Sequence, residues 1–112
     1  MNKLSKHAAV LAVTLGLVAA GSVFAASATE NFENHCAKCH GADGKGQTKV
    51  GKKLNVRDMT SAKYKQEFDE GKAHTSIKDG IKKDGKEIKK AFGPELSEAE
   101  IKALVAHVKT LK

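Results

Sequence analysis

The sequence predicts an all-α domain, and three observations carry that expectation. Near the C-terminus, Ile101, Leu104, Val105, Val108 and Leu111 recur at helical spacing behind a Ser97-x-x-Glu100 capping box. Near the start, Ser27-x-x-Glu30 repeats the same helix-opening signature. Between them there is no alternating apolar–polar run, internal repeat or low-complexity tract.

In chain order, Lys3 and Lys6 precede an uncharged, mostly apolar stretch from Ala8 to Ala26, and Val23-Phe24-Ala25 fits a small-x-small cleavage rule. This reads as a secretory signal peptide over residues 1–25. Its apolar part is short and rich in Ala and Gly for a permanent span. The first mature helix opens at Ser27 and runs into Cys36-Ala37-Lys38-Cys39-His40, with Phe32 one turn before Cys36 on the same face. A C-x-x-C-H run is the attachment signature of a c-type haem. Two thiols one helical turn apart match the two porphyrin vinyls, and the histidine that follows is carried under the iron as proximal ligand. A zinc site would require two further ligands at matched spacing, and the chain has no other cysteine. A thioredoxin-like dithiol would require a strand–helix setting that the flanks lack.

After the motif, Gly41-Ala-Asp-Gly-Lys-Gly46 reads as a glycine-rich wrap around the porphyrin edge. The residues from there to Met59 read as irregular, with Leu54 and Val56 as inward pegs. Thr60 or Ser61 caps a second helix bearing Tyr64 and Phe68, and Gly71 is expected to interrupt it. A third helix over residues 72–79 is expected to stop at Gly80 in a left-handed cap. Residues 82–90 read as a basic loop, and Pro94 precedes the last helix. That helix also has a staple pair, Leu96 and Ile101.

Removing 25 of 112 residues leaves 87, one domain over 26–112. So short a chain buries little apolar surface unaided, and its mature part has four aromatics, Phe32, Tyr64, Phe68 and Phe92. A haem supplies the missing apolar body, so the apo-protein is expected to fold poorly. Two lysines leave with the leader, taking the formal charge from +7 to +5. Of the 20 basic residues only Arg57 is not lysine, a surface suited to weak, fast docking on an acidic partner. Nucleic acid is not expected, because no aromatic residues interleave with the basic ones.

The whole mature chain resembles class I cytochromes c of the small bacterial single-haem type. The residues that carry the resemblance are Phe32, Cys36-Ala-Lys-Cys39-His40-Gly41, Asp43-Gly-Lys-Gly46 and Leu96-Ser-x-x-Glu-Ile-x-x-Leu-Val-x-x-Val108. The resemblance implies the small cytochrome c fold. In it the first and last helices cross beside one covalent haem c, Phe32 meets the Leu104/Val108 face, and His107 acts as a packing residue. It also implies that the run Gly51-Lys52-Lys53-Leu54 stands where the family has Gly-Pro-x-Leu. There, a Lys52 carbonyl would accept the proximal imidazole N–H.

A larger departure concerns the distal side of the iron. The family's methionine usually lies just before the last helix, but here the matching run is Ile88-Lys89-Lys90-Ala91-Phe92, with Lys89 in its place. Met59 is the one methionine of the mature chain, at a position where the family commonly has a core leucine. The sixth position therefore stays open among Met59, Lys89, His74 and no protein ligand at all. The expected function is one-electron transfer by a periplasmic monomer with no span in the mature protein. Lys45, Lys49, Lys52, Lys53, Lys86 and Lys90 would orient it on an acidic redox partner. No Ser/His/Asp set or paired carboxylates suggest an enzyme. The alternative is a haem-based sensor or binder of a small ligand such as CO or NO, with an open sixth position.

Overall fold

Ser27 accepts a hydrogen bond from Glu30 N and opens α1, Ala28–His35. The computed structural model describes residues 27–112, so the expected signal peptide lies outside the described residues. Cys36 is at once the C-cap of α1 and the N-cap of α2, Ala37–His40. Its N–H reaches Phe32 O at 2.8 Å while its own carbonyl receives His40 N at 2.9 Å, so one helical path runs through the cysteines. This is the expected first helix.

The irregular stretch expected before Met59 contains a helix, α3, Lys49–Leu54. Thr48 caps it, and Asn55 closes it in the left-handed conformation. Gly51, in mid-helix, lowers the helical propensity on which the sequence reading relied. Leu54 is not the inward peg expected: it is 41% exposed, because α3 presses Gly51, not Leu54, against α2. Val56 is half-buried.

Ser61 caps α4, Ala62–Glu67, by accepting from Tyr64 N. The interruption falls at Phe68 and Asp69 and not at Gly71, because the Asp69 carboxylate accepts from Lys72 N and starts α5, Glu70–Asp79. At the end of α5, Gly80 has φ +74° but extended ψ, so its positive φ was expected and its left-handed cap was not formed.

The stretch read as a basic loop is instead a β-hairpin, β1 Ile81–Lys83 and β2 Lys86–Lys89. Asp84 and Gly85 both have positive φ, 51° and 74°, which is the demand of the two-residue turn that the Asp-Gly dipeptide favours. The hairpin has no apolar face of its own, so alternation could not reveal it. The protein remains essentially all-α.

The last helix, α6, Glu98–Thr110, has the full reciprocal capping box between Ser97 and Glu100. It packs on α1 and α5. Phe32, Ile101 and Leu104, each 1% exposed, sit at the centre of a core shared with Met59, Ile77, Phe92, Leu96, Val105 and Val108. His107 stacks on Phe32 with ring centroids 5.0 Å apart, in its expected packing role. Asn31 is also buried in this interface, and its amide donates to Glu100 at 2.9 Å.

Candidate functional site

The site grows from the helical turn that carries Cys36, Cys39 and His40. Neither thiol is in a disulfide; Cys36 is buried and Cys39 half-buried. The glycine loop that follows is tied back to this turn by its own backbone. Gly41 N donates to Ala37 O at 2.7 Å, Gly46 N to His40 O at 2.7 Å, and Met59 N to Gly44 O at 2.8 Å. Gly46 has φ +69°, and a Cβ there would stand 2.9 Å from Val56 Cγ2, so the wrap is possible only with glycine.

Thr48 was not singled out in the sequence, yet it locks α3 onto the motif. Its hydroxyl donates to Cys39 O at 2.8 Å and accepts from Gly51 N at 2.9 Å. Gly51 comes so close to α2 that a Cβ would lie 2.1 Å from Cys39 O. The signal for both residues was available: a threonine three positions before a glycine, with Asn as a closing residue, is a short capped helix.

Burial, and secondarily the charge of Lys89, lower the His40 pKa to about 4. Its imidazole is therefore neutral at neutral pH and keeps a lone pair for a metal. Burial pushes the Cys36 thiol up, opposed by Lys89. His40 Nδ1 is buried without a hydrogen-bond partner among the described residues. The bond expected from it to the Lys52 carbonyl is not formed; that carbonyl receives Asn55 N at 3.3 Å.

The three distal candidates lie in different surroundings. Met59 is in the core at 5% exposure. His74, on α5, has Nε2 2.7 Å from Glu98 Oε1 at the start of α6. Lys89 closes β2, half-buried where the rest of the hairpin is exposed. Lys45, Lys49, Lys52, Lys53, Lys86 and Lys90 are all exposed; of these, Lys90 pairs with Glu95 and lies over the Phe92 ring.

These residues fit a covalent haem. A neutral imidazole with an orphaned ring nitrogen stands beside two unpaired thiols one turn apart. Leu54 on α3 and Ile81 and Ile88 on the hairpin are large apolar side chains about two-fifths exposed, 41%, 40% and 41%. Exposed apolar surface of this kind is what binding an apolar macrocycle at the motif would help to cover. Among the described residues no helix is long and apolar enough to cross a membrane.

Comparison with known proteins agrees with this geometry. Among curated protein sequences no match is found. Among solved structures, the chain is similar to the KustC0563 c-type cytochrome, with a TM-score of 0.69 and 28% identity over 78% of this chain and 99% of that one. A point mutant of that cytochrome is similar to the same degree, with a TM-score of 0.67 and 29% identity over 78% of this chain and 100% of the other. The sequence model of the cytochrome c family matches residues 25–112. The chain therefore belongs to the cytochrome c family, small class I c-type cytochromes whose cofactor is covalently bound haem c.

Proposed function

We propose that the mature chain is a periplasmic one-electron carrier in which Cys36 and Cys39 hold haem c and His40 is the proximal ligand. The observation that carries this reading is the His40 environment: a half-buried, neutral imidazole with a buried, unpartnered Nδ1, set by one helical path directly after the two free thiols. When bound, the haem supplies the one-electron Fe(III)/Fe(II) couple. The protein's part is to hold and brace. Cys36 and Cys39 would hold the ring through two thioethers, and the Gly41–Gly46 wrap and α3, tied to the same turn, would brace His40. Exposed lysines on α3 and the hairpin would steer an acidic partner to the haem edge.

The reading is tested on protein secreted by a host equipped for haem ligation. Expected are the mass of the processed chain plus one haem, the absorption of a two-thioether haem, and a potentiometric titration with one-electron slope. A colourless product at the bare polypeptide mass would end it. The sensor alternative draws on one observation, the absence of a methionine in the segment before α6. Rapid, complete binding of CO by the reduced protein would favour that alternative; slow or absent binding favours the carrier.

A further inference from the structure

In a regular antiparallel ladder the pairs Lys83↔Lys86 and Lys82↔Glu87 would be followed by Ile81 opposite Ile88. The observed partner of Ile81 is Lys89. Ile88 is thus an extra residue in β2, a bulge, and bulges re-aim side chains. Directly paired residues share a face of the sheet. The inserted residue therefore gives Lys89 the place that Ile88 would otherwise take, and Lys89 becomes the half-buried residue of the hairpin.

The backbone at this point is firmly held. Gly80 lies against it so closely that a Cβ would meet Lys89 O at 2.4 Å and Ala91 N at 2.8 Å. Two further bonds tie the returning chain to α5, Phe92 N to Ile77 O at 2.9 Å and Gly93 N to Lys78 O at 3.0 Å. The charge of Lys89 also lies within electrostatic reach of both His40 and Cys36, so the bulged hairpin stands near the motif. Of the other candidates for the iron, Met59 is packed in the core, and His74 Nε2 lies 2.7 Å from Glu98 Oε1 without a well-formed hydrogen bond; Lys90 pairs with Glu95. Among the described residues no carboxylate pairs with Lys89.

Given the haem c reading above, on which this rests, we infer that Lys89 is the distal ligand of the haem iron, presented by the bulged hairpin opposite His40. To bind, the ammonium loses one proton to solvent, and the nitrogen lone pair forms the coordinate bond in place of water or an empty site. No electron is exchanged. Two nitrogen donors favour Fe(III), so the potential should lie below that of a His/Met cytochrome.

The test uses the holo-protein and its spectra. Wild type is expected to be low-spin in the ferric state, with EPR and near-infrared magnetic circular dichroism of an imidazole–amine pair and without a sulfur-to-iron band. Lys89→Ala and Lys89→Arg should lose that signature, become high-spin or water-ligated, and shift to higher potential. Arginine keeps the charge but cannot give up its proton. Met59→Leu, which nearly conserves core volume, should leave the signature intact. A sulfur-ligated or high-spin wild type would overturn the assignment, as would Lys89 variants with unchanged spectra. Since the wild-type spectra are informative alone, misfolding of a variant does not protect the idea. A colourless product would overturn the haem reading itself, whereas a red one whose spectra ignore Lys89 would overturn only the ligand.

Discussion

Glu100 joins two helices through its two carboxylate oxygens. Oε1 accepts from Ser97 N at 3.1 Å to complete the capping box of α6, and Oε2 accepts from the buried Asn31 amide of α1 at 2.9 Å. The Asn31 bond first, then the Ser97 backbone, lower its pKa from the ordinary 4.5. A carboxyl with a depressed folded-state pKa contributes its stability above the unfolded value and loses it as pH falls through the folded one. Glu100→Gln should therefore be less stable than wild type at neutral pH, and the gap should close on acidification below 4.5. Denaturant unfolding of the holo-protein at both ends of that range measures it; a gap independent of pH would show that charge is not involved. Phe32 is a simpler case. At 1% exposure and stacked on His107, its truncation to Ala should cost about 3–5 kcal/mol in the same assay. A loss well under 1 kcal/mol would mean that the α1–α6 contact is not where the core is held.

At the scale of elements, close approach of backbones decides how the motif is braced. Gly51→Ala puts a Cβ against the Cys39 carbonyl, which is backbone and cannot rotate away. Overpacking of this kind costs about 1–3 kcal/mol, so the holo-protein should unfold at lower denaturant. Gly85→Ala, where nothing lies within 4 Å of the new Cβ, should cost only the strain of its positive φ, about 1 kcal/mol. Comparing the two in one denaturation series separates steric from conformational cost, and equal losses would refute the distinction. The same contrast explains what was legible in the sequence. α1 and α6 could be read because Ser27, Ser97 and Glu100 are local signals and the apolar stripe of α6 is long. Cys36, Cys39 and His40 are adjacent, so their chemistry needs no tertiary information. α3 and the hairpin were missed because neither has a periodic apolar face: α3 is centred on a glycine and the strands are mostly lysine. What fixes them is contact between distant residues, Gly51 with Cys39 and Gly80 with Lys89. The Asp84-Gly85 dipeptide was the one local sign of the turn.

Across the whole molecule, positive charge is not spread evenly over the elements. Several carboxylates are already paired with cations: Glu67 with Arg57, Glu70 with Lys109 and Glu95 with Lys90. α3 carries Lys49, Lys52 and Lys53 with no acidic residue, directly on the element that holds Cys39. The hairpin adds Lys82, Lys83 and Lys86 against Asp84 and Glu87. The haem motif is thus bordered by exposed ammonium groups, and a net charge of +7 over the full sequence gives the long-range field the same sign. Exposed charges act over a Debye length of about 10 Å at 0.1 M salt and about 3 Å at 1 M. Electron exchange with an acidic partner should accordingly slow as ionic strength rises. Replacing Lys49, Lys52 and Lys53 together with Glu should flatten or reverse that slope while leaving the haem spectrum unchanged, because all three side chains are exposed and, among the described residues, none has a hydrogen bond or ion pair to Cys36, Cys39 or His40. Charge reversal at the exposed Lys102 of α6, a helix that packs mainly on α1 and α5, should have little effect on the slope. Stopped-flow reduction over a salt series, for wild type and both variants, decides the matter. Were the triple variant to keep the wild-type salt dependence, docking through α3 would be wrong, and the lysines of this helix would serve solubility alone.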